Sequence, residues 1–442
     1  MISPARREEI ISALRRGTVP RRGLETFAVG LARFEAVLGA ELETVSRGAS
    51  AFKAVRGEYG SGKTFFARWL AARAASHGFA TSEIQISETE TPLHKLETVF
   101  RSLMQRLSTA ETLDGAFRSI VDGWFYALEE DAIAEGQIAD HDQEALLERT
   151  NALMESRLAG IARTAPSFSA ALRGYRVALL NGDRATADAL LAWLAAQPNV
   201  AAAAKRFAGI KGDIDHFGAL DFLQGLLVVL RDSGYKGLLV VLDEVETLQR
   251  VRRDVRDQGL NALRQLIDEV DSGRYPGLYL LMTGTPAFFD GPQGIKRLPP
   301  LAQRVHVDFE TDARFDNPRA VQIRLSGFSR EKLCEVGTRV RDLYAGHSED
   351  PERIVAVVSD AYVAELAAAV LGKLGGKVGI APRIFLKKLV GDVLDRVDQF
   401  DDFDPRRDYP LTIGAEELTV RERAAQVGSV EDVDDIELEI DS

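Results

Sequence analysis

The chain is poor in cysteine, in long apolar runs and in positive charge. One cysteine, Cys334, excludes a disulfide framework and a cysteine-based metal site. No run of eighteen apolar residues occurs, so no membrane span is expected. The opening Met1-Ile2-Ser3-Pro4-Ala5-Arg6-Arg7-Glu8-Glu9 lacks the apolar core of a secretion signal, and a cytoplasmic address is expected. Bases fall short of acids, 55 against 67, and the net charge of -12 argues against a generally basic protein that coats nucleic acid. The shortfall is uneven. Residues 1–33 carry seven arginines against three glutamates, whereas Glu431–Ser442 carries seven acids and no base. That composition reads as a solvated, disordered tail, with a partner-binding segment as the alternative. An apolar fraction of 45% supports a sizeable core, and 442 residues suggest two or three domains.

One stretch organises the rest. Gly57-Glu58-Tyr59-Gly60-Ser61-Gly62-Lys63-Thr64 fits the phosphate-binding pattern G-x-x-x-x-G-K-[ST] without a mismatch. Ala51–Val55 before it alternates like a strand, and Phe65–Ala75 after it reads as a helix. Glycines let the backbone curl so that successive N–H groups face a phosphate. The helix adds its positive end. The spacing gives Lys63 to the β- and γ-phosphates of ATP and the Thr64 hydroxyl to Mg2+.

Gly237-Leu238-Leu239-Val240-Val241-Leu242-Asp243-Glu244 is the second informative stretch. Its apolar run predicts a parallel-sheet strand buried on both faces. Ligands bind at the carboxyl ends of such strands. Asp243 is expected to hold the Mg2+ shell, and Glu244 to polarise an attacking water as general base. The competing reading is a strand that ends in solvated acids. Glu246 is expected at the surface or against a lid. Gly277–Pro286 predicts another buried strand ending in hydroxyls. There Thr283, preferred to Thr285, would bond the γ-phosphate or its water; the alternative is a plain strand-end hydroxyl. Val305–Phe309 alternates and is expected to be the last sheet strand.

The remaining pattern is helical. Residues 6–16, 31–45 and 259–271 have apolar stripes. Between 92 and 235 helical patterns recur (Leu93–Leu107, Asp142–Thr164, Ser167–Leu180, Arg184–Gln197), too many for one crossover. Trp124, Phe125, Tyr126 and Tyr175 are expected in the core of this insertion; with Arg173 and Arg176 they could instead face a partner. Three helices follow Ser329: Arg330–Tyr344, Ala356–Leu371 and Pro382–Val397. Tyr409–Ile413 looks strand-like. The expected fold is α/β, a P-loop NTPase parallel sheet with a large helical insertion and a C-terminal helical lid. The expected division is 1–91 (N-terminal helices and the first part of the core), 92–235 (insertion), 236–328 (second part of the core), 329–400 (lid) and 401–442 (acidic tail).

This order of parts resembles an AAA+ ATPase of the replication-initiator kind. Ala13-Leu14-Arg15-Arg16-Gly17-Thr18-Val19-Pro20, Thr91-Pro92-Leu93-His94-Lys95 and Val321-Gln322-Ile323-Arg324-Leu325 are similar to the BREX ATP-binding BrxD family of phage defence. The resemblance implies that Val29-Gly30 lies against adenine. It implies that Arg304, with Arg297 second, reaches a neighbour's γ-phosphate in a homo-oligomer, although either could simply cap a helix. It implies a second sensor arginine at Arg383, in Gly379-Ile380-Ala381-Pro382-Arg383, where proline in the first turn sets a cation at a helix start. It further implies defence against phage together with DNA and a helicase partner. Origin binders carry a basic winged helix after the lid; here the tail is acidic, which puts C-terminal DNA binding in doubt. DNA contact is expected instead at the first 33 residues or on the inner face of the insertion. Two functions remain open, an ATPase that remodels or loads a DNA-acting partner and a nucleotide-gated adaptor with little turnover. A small-molecule kinase is disfavoured, because it gives no reason for lid helices and paired arginines.

Overall fold

The computed structural model describes residues 2–135, 143–163, 165–373 and 381–418. In chain order the elements are α1 (Pro4–Arg15), α2 (Ala32–Ser46), β1 (Ala51–Arg56), α3 (Lys63–Ser76) and β2 (Phe79–Gln85). Seven helices follow: α4 (Leu96–Gln105), α5 (Phe117–Ala134), α6 (Gln143–Leu158), α7 (Pro166–Leu180), α8 (Arg184–Leu194), α9 (Ala202–Phe207) and α10 (His216–Asp232). Then come β3 (Gly237–Asp243), α11 (Arg253–Asp271), β4 (Leu278–Gly284), α12 (Pro286–Asp290), α13 (Pro299–Val305) and β5 (Gln322–Arg324). The last helices are α14 (Arg330–Ala345), α15 (Pro351–Val357), α16 (Asp360–Lys373), α17 (Ala381–Lys387), α18 (Asp395–Gln399) and the single turn α19 (Pro405–Asp408). A π-helical stretch, Lys388–Leu394, joins α17 to α18.

The chain divides into two compact units, Met1–Glu35 with Arg56–Trp69 and Arg324–Ser442, and Ala36–Val55 with Leu70–Ile323. The second holds the five-stranded sheet, in the order β2-β3-β4-β1-β5. Strands β2 and β3 pair in parallel from Phe79↔Gly237 to Gln85↔Asp243, and β3 and β4 from Leu238↔Leu278 to Leu242↔Met282. Both central strands are buried along their whole length, as an unbroken apolar run requires. The strand that leads to the phosphate loop and the strand that ends in Asp243 thus flank β4. Arg56 and Arg324, the last residues of β1 and β5, count with the first unit.

Helices α4 and α10 pack on β2 and β3, and one continuous hydrophobic core joins sheet and insertion. Trp124, Phe125 and Tyr175 lie in that core, as the pattern predicts. Burial of each such ring stabilises the fold by about 1.5–3 kcal/mol. Their polar atoms are satisfied: Trp124 Nε1 donates to Asp232 at 2.6 Å, and the Tyr175 hydroxyl donates to Asp122 at 2.5 Å. Arg176 is buried against Glu129 and the Phe125 ring, whereas Arg173, paired with Glu155, is exposed. Tyr126 is exposed against expectation: two positions from both Trp124 and Leu128, it falls on the opposite face of α5.

In the first unit α1 packs on α14, α17 and the π-helical stretch. Arg15 donates to both carboxylate oxygens of Asp395, at 2.6 and 2.8 Å, and Tyr344 donates to the same group at 2.9 Å. The expected helix Ala356–Leu371 is broken at Val358-Ser359. Arg341 binds the Val358 carbonyl at 3.1 Å and Asp360 at 2.6 Å, so α16 starts afresh there.

Two strand expectations fail. Val305–Phe309 forms no strand: Val305 ends α13, and the edge position beside β1 is taken by β5, where the Ala54 N–H bonds the Val321 carbonyl at 2.8 Å. Tyr409–Ile413 forms none either. Gly379 and Ile380 of the Arg383 segment, and the acidic Glu431–Ser442, lie outside the described residues.

Candidate functional site

The phosphate-loop residues belong to the first unit. β1 ends at Arg56 and the loop turns back at once, with the Ser61 N–H bonded to the Glu58 carbonyl at 3.1 Å. Gly60 and Gly62 have φ of 77° and 92°, a region open to glycine and strained for other residues. A Cβ on Gly57 would collide with the Ser61 hydroxyl. Lys63 opens α3, is buried, and folds over the loop: its ammonium donates to the Gly57 carbonyl at 2.8 Å and the Glu58 carbonyl at 3.2 Å, and lies 5.1 Å from the centre of the Tyr59 ring. Thr64 is half-buried in the first turn of that helix. The Ser61 hydroxyl is buried without a hydrogen-bond partner. A buried donor left unsatisfied costs about 1–3 kcal/mol, which a phosphate oxygen would relieve. Glycine cradle, buried ammonium, orphan hydroxyl and helix start therefore fit a phosphate chain.

Val29 and Gly30 are brought to the same place. A cavity of about 250 Å³ is lined by Val29, Gly30, Phe65, Leu325, Phe328 and Lys332, and Ser61 and Gly62 of the loop open onto it. Gly30 adopts φ 74°, and a Cβ there would meet Lys332 Cε at 3.1 Å. Arg383 does not line this cavity. Its guanidinium donates to the Glu417 carbonyl at 2.6 Å and lies against Gly17.

In the second unit the end of β3 carries the carboxylates. Asp243 is buried, and the Thr283 hydroxyl on neighbouring β4 donates to its Oδ1. The Glu244 N–H is shared between Asp243 Oδ1 at 3.1 Å and Thr283 Oγ1 at 3.3 Å. Thr283 therefore acts on the aspartate, a role the sequence did not disclose. Glu244 itself sits in the left-handed region, φ 59° and ψ 42°, at a cost of about 1–2 kcal/mol for a residue with a Cβ. That turn aims its carboxylate along the strand ends, where Gln85, the last residue of β2, donates to Oε2 at 3.2 Å. Gln85 was not singled out from the sequence, where it is one polar residue in an alternating strand; its only signal is the parallel register that sets it opposite Asp243. Glu246 is buried, not superficial, because the 3₁₀ turn Val245–Arg250 folds its first four residues inward.

Both candidate finger arginines have carboxylate partners within the second unit. Arg304 pairs with Asp268 and donates to the Pro300 carbonyl of its own helix at 2.8 Å. Arg297 pairs with Asp257 at 3.0 Å. Among the described residues no cluster of three or more His, Cys, Asp or Glu side chains could hold a metal on its own. Any Mg2+ would therefore lean on phosphate oxygens and one or two side chains, as that ion ordinarily does. No single described helix is long and apolar enough to cross a membrane.

A search of curated proteins gives no significant match. The family model described as BREX system ATP-binding protein BrxC/D matches residues 2–413. The match runs from the first helix to Ile413, with the phosphate loop and the Asp243-Glu244 strand end inside it, and so the chain belongs to the BREX system ATP-binding protein BrxC/D family.

Proposed function

We propose that the protein is an AAA+-type ATPase of a phage-defence system, which uses ATP turnover to remodel or load a DNA-acting partner such as a helicase. The observation that carries this reading is the phosphate loop: glycines at positive φ, a buried Lys63 and an unpartnered Ser61 hydroxyl at the start of a 14-residue helix. The loop residues Gly57, Glu58, Tyr59, Gly60, Ser61, Gly62, Lys63 and Thr64 would hold the triphosphate, and Val29 and Gly30 the adenine. Thr64 and Asp243 would hold Mg2+, which when bound supplies charge neutralisation at the phosphates. Lys63 exchanges its carbonyl contacts for phosphate oxygens. Asp243, held in one rotamer by Thr283, keeps its orientation. Glu244 takes a proton from water, and Gln85 must release it first. Arg304 would serve a neighbouring subunit's site after leaving Asp268, and Arg383 the same cleft from the C-terminal helices.

A nucleotide-gated adaptor with little turnover is the second reading. It draws on two particulars: Glu244 is engaged by Gln85, and Arg304 by Asp268. Steady-state hydrolysis over a range of protein concentrations, with and without DNA, separates the two, run beside Glu244→Gln and Arg304→Ala. The ATPase reading expects Glu244→Gln to bind ATP and lose at least about a hundredfold in kcat. Wild-type binding without turnover under every condition would hand the case to the adaptor.

A further inference from the structure

The cavity beside the phosphate loop has one wall that its apolar lining does not explain. Lys332 lies in the first turn of α14, whose N-cap Ser329 accepts the Lys332 N–H at 3.3 Å. A cation is disfavoured at that end of a helix. Burial, reinforced by neighbouring Arg33, holds the ammonium below its ordinary pKa, with Glu335 pulling the other way. Among the described residues the Lys332 ammonium has no hydrogen-bond or ion-pair partner. Arg33, in contrast, donates to the Arg324 carbonyl at 2.9 Å and stacks on Phe34.

Position makes this cation informative. Lys332 crosses the bare backbone of Gly30, its Cε 3.1 Å and its Nζ 3.4 Å from where a Cβ would stand. Any larger residue at Gly30 would push the chain of the lysine aside. Phe65, Phe328, Leu325 and Val29 supply apolar parts of the remaining lining, with Arg33 and Ser326 polar beside them, and Phe328 approaches Gly62 to 3.6 Å of its missing Cβ. A space of about 250 Å³ lined by aromatic and polar side chains together suits a flat heterocycle, not a whole nucleotide. Such a ring offers a ring-nitrogen lone pair at its edge, and an ammonium lacking a partner is the donor for it.

We propose that Lys332 is the base-reading residue of the nucleotide site, donating from Nζ to a ring-nitrogen acceptor of a purine seated over Gly30. This inference rests on the phosphate-loop reading above and adds to it the residue that selects the base. A purine fills the space between the apolar walls and reaches the ammonium; a pyrimidine, one ring smaller, leaves the gap to water. Selection is thus set by α14, far downstream of the phosphate loop in the chain.

The test is the ratio of Kd for Mg-UTP to Kd for Mg-ATP, measured calorimetrically on the full chain for wild type and Lys332→Met. Methionine keeps the length and the packing over Gly30 and removes the donor, and among the described residues the Lys332 side chain makes no hydrogen bond or ion pair that the change would break. Wild type is expected to prefer ATP, and the ratio is expected to fall about tenfold in the variant, the loss of one charge-assisted hydrogen bond. The ratio cancels any uniform loss of phosphate binding. An unchanged or larger ratio, a wild type that does not distinguish the two nucleotides, or a variant that binds neither would overturn the assignment of Lys332. A wild type that binds neither nucleotide would overturn the phosphate-loop reading instead.

Discussion

Glu244 is held at its backbone and at its carboxylate by different devices. The backbone is pinned in a left-handed turn by Asp243 and Thr283; the carboxylate is tethered by Gln85. The second device is the weaker. One hydrogen bond of a neutral amide to a half-buried carboxylate is worth about 1 kcal/mol net. Gln85→Ala is therefore expected to raise basal hydrolysis several-fold, up to about tenfold, with KM for ATP little changed. A rate that falls would mean that Gln85 orients the glutamate for the reaction instead of restraining it. The residue scale also marks how far a motif reaches. Lys63 and Asp243 were legible because their chemistry is tied to local spacing and to a strand end. The placements of Gln85 and Lys332 were not, because the residues they meet, Glu244 and Gly30, lie 159 and 302 positions away in the chain.

At the scale of elements the sheet is fastened by one buried cluster. Lys53 on β1 is 2% exposed; it pairs with Glu41 of α2 at 2.5 Å and donates to the Pro318 and Ala320 carbonyls ahead of β5. Tyr279 of β4 donates to the other oxygen of Glu41, and burial together with that carboxylate holds the phenol well above its ordinary pKa. Removing one partner strands the other in a low-dielectric setting. Lys53→Met is expected to cost about 3–5 kcal/mol in urea unfolding followed by far-UV circular dichroism. A cost below about 1 kcal/mol would show that the cluster is incidental. The buried strands β3 and β4 were legible, since apolar runs bounded by glycine have few other uses. β5 was not: three residues with no alternation become a strand because β1 offers an open edge. Val305–Phe309 has the right period and forms no strand, since Val305 closes α13 and the edge is taken by β5.

For the whole molecule the question is whether one chain completes its own site. Arg304 is engaged by Asp268 within the chain, and a role toward a neighbour requires that pair to open on assembly. The cost is modest, because the pair is partly exposed and screened by solvent. Mixing Glu244→Gln with Arg304→Ala is the direct measurement. If each subunit lends Arg304 to the next, the mixture regains ATPase activity that neither variant has alone. A mixture as inactive as its components would confine the site to a single chain.

The first unit gathers residues from both ends of the sequence. Arg15 reaches Asp395, and the cavity at Gly30 is closed by Leu325, Phe328 and Lys332. During synthesis the whole segment 36–323 is joined before any of those three residues exists. The nascent chain thus carries a complete phosphate-loop sequence whose base pocket has no far wall. Closure of that cavity becomes one of the last steps open to the chain, a built-in delay between translation and competence to bind nucleotide.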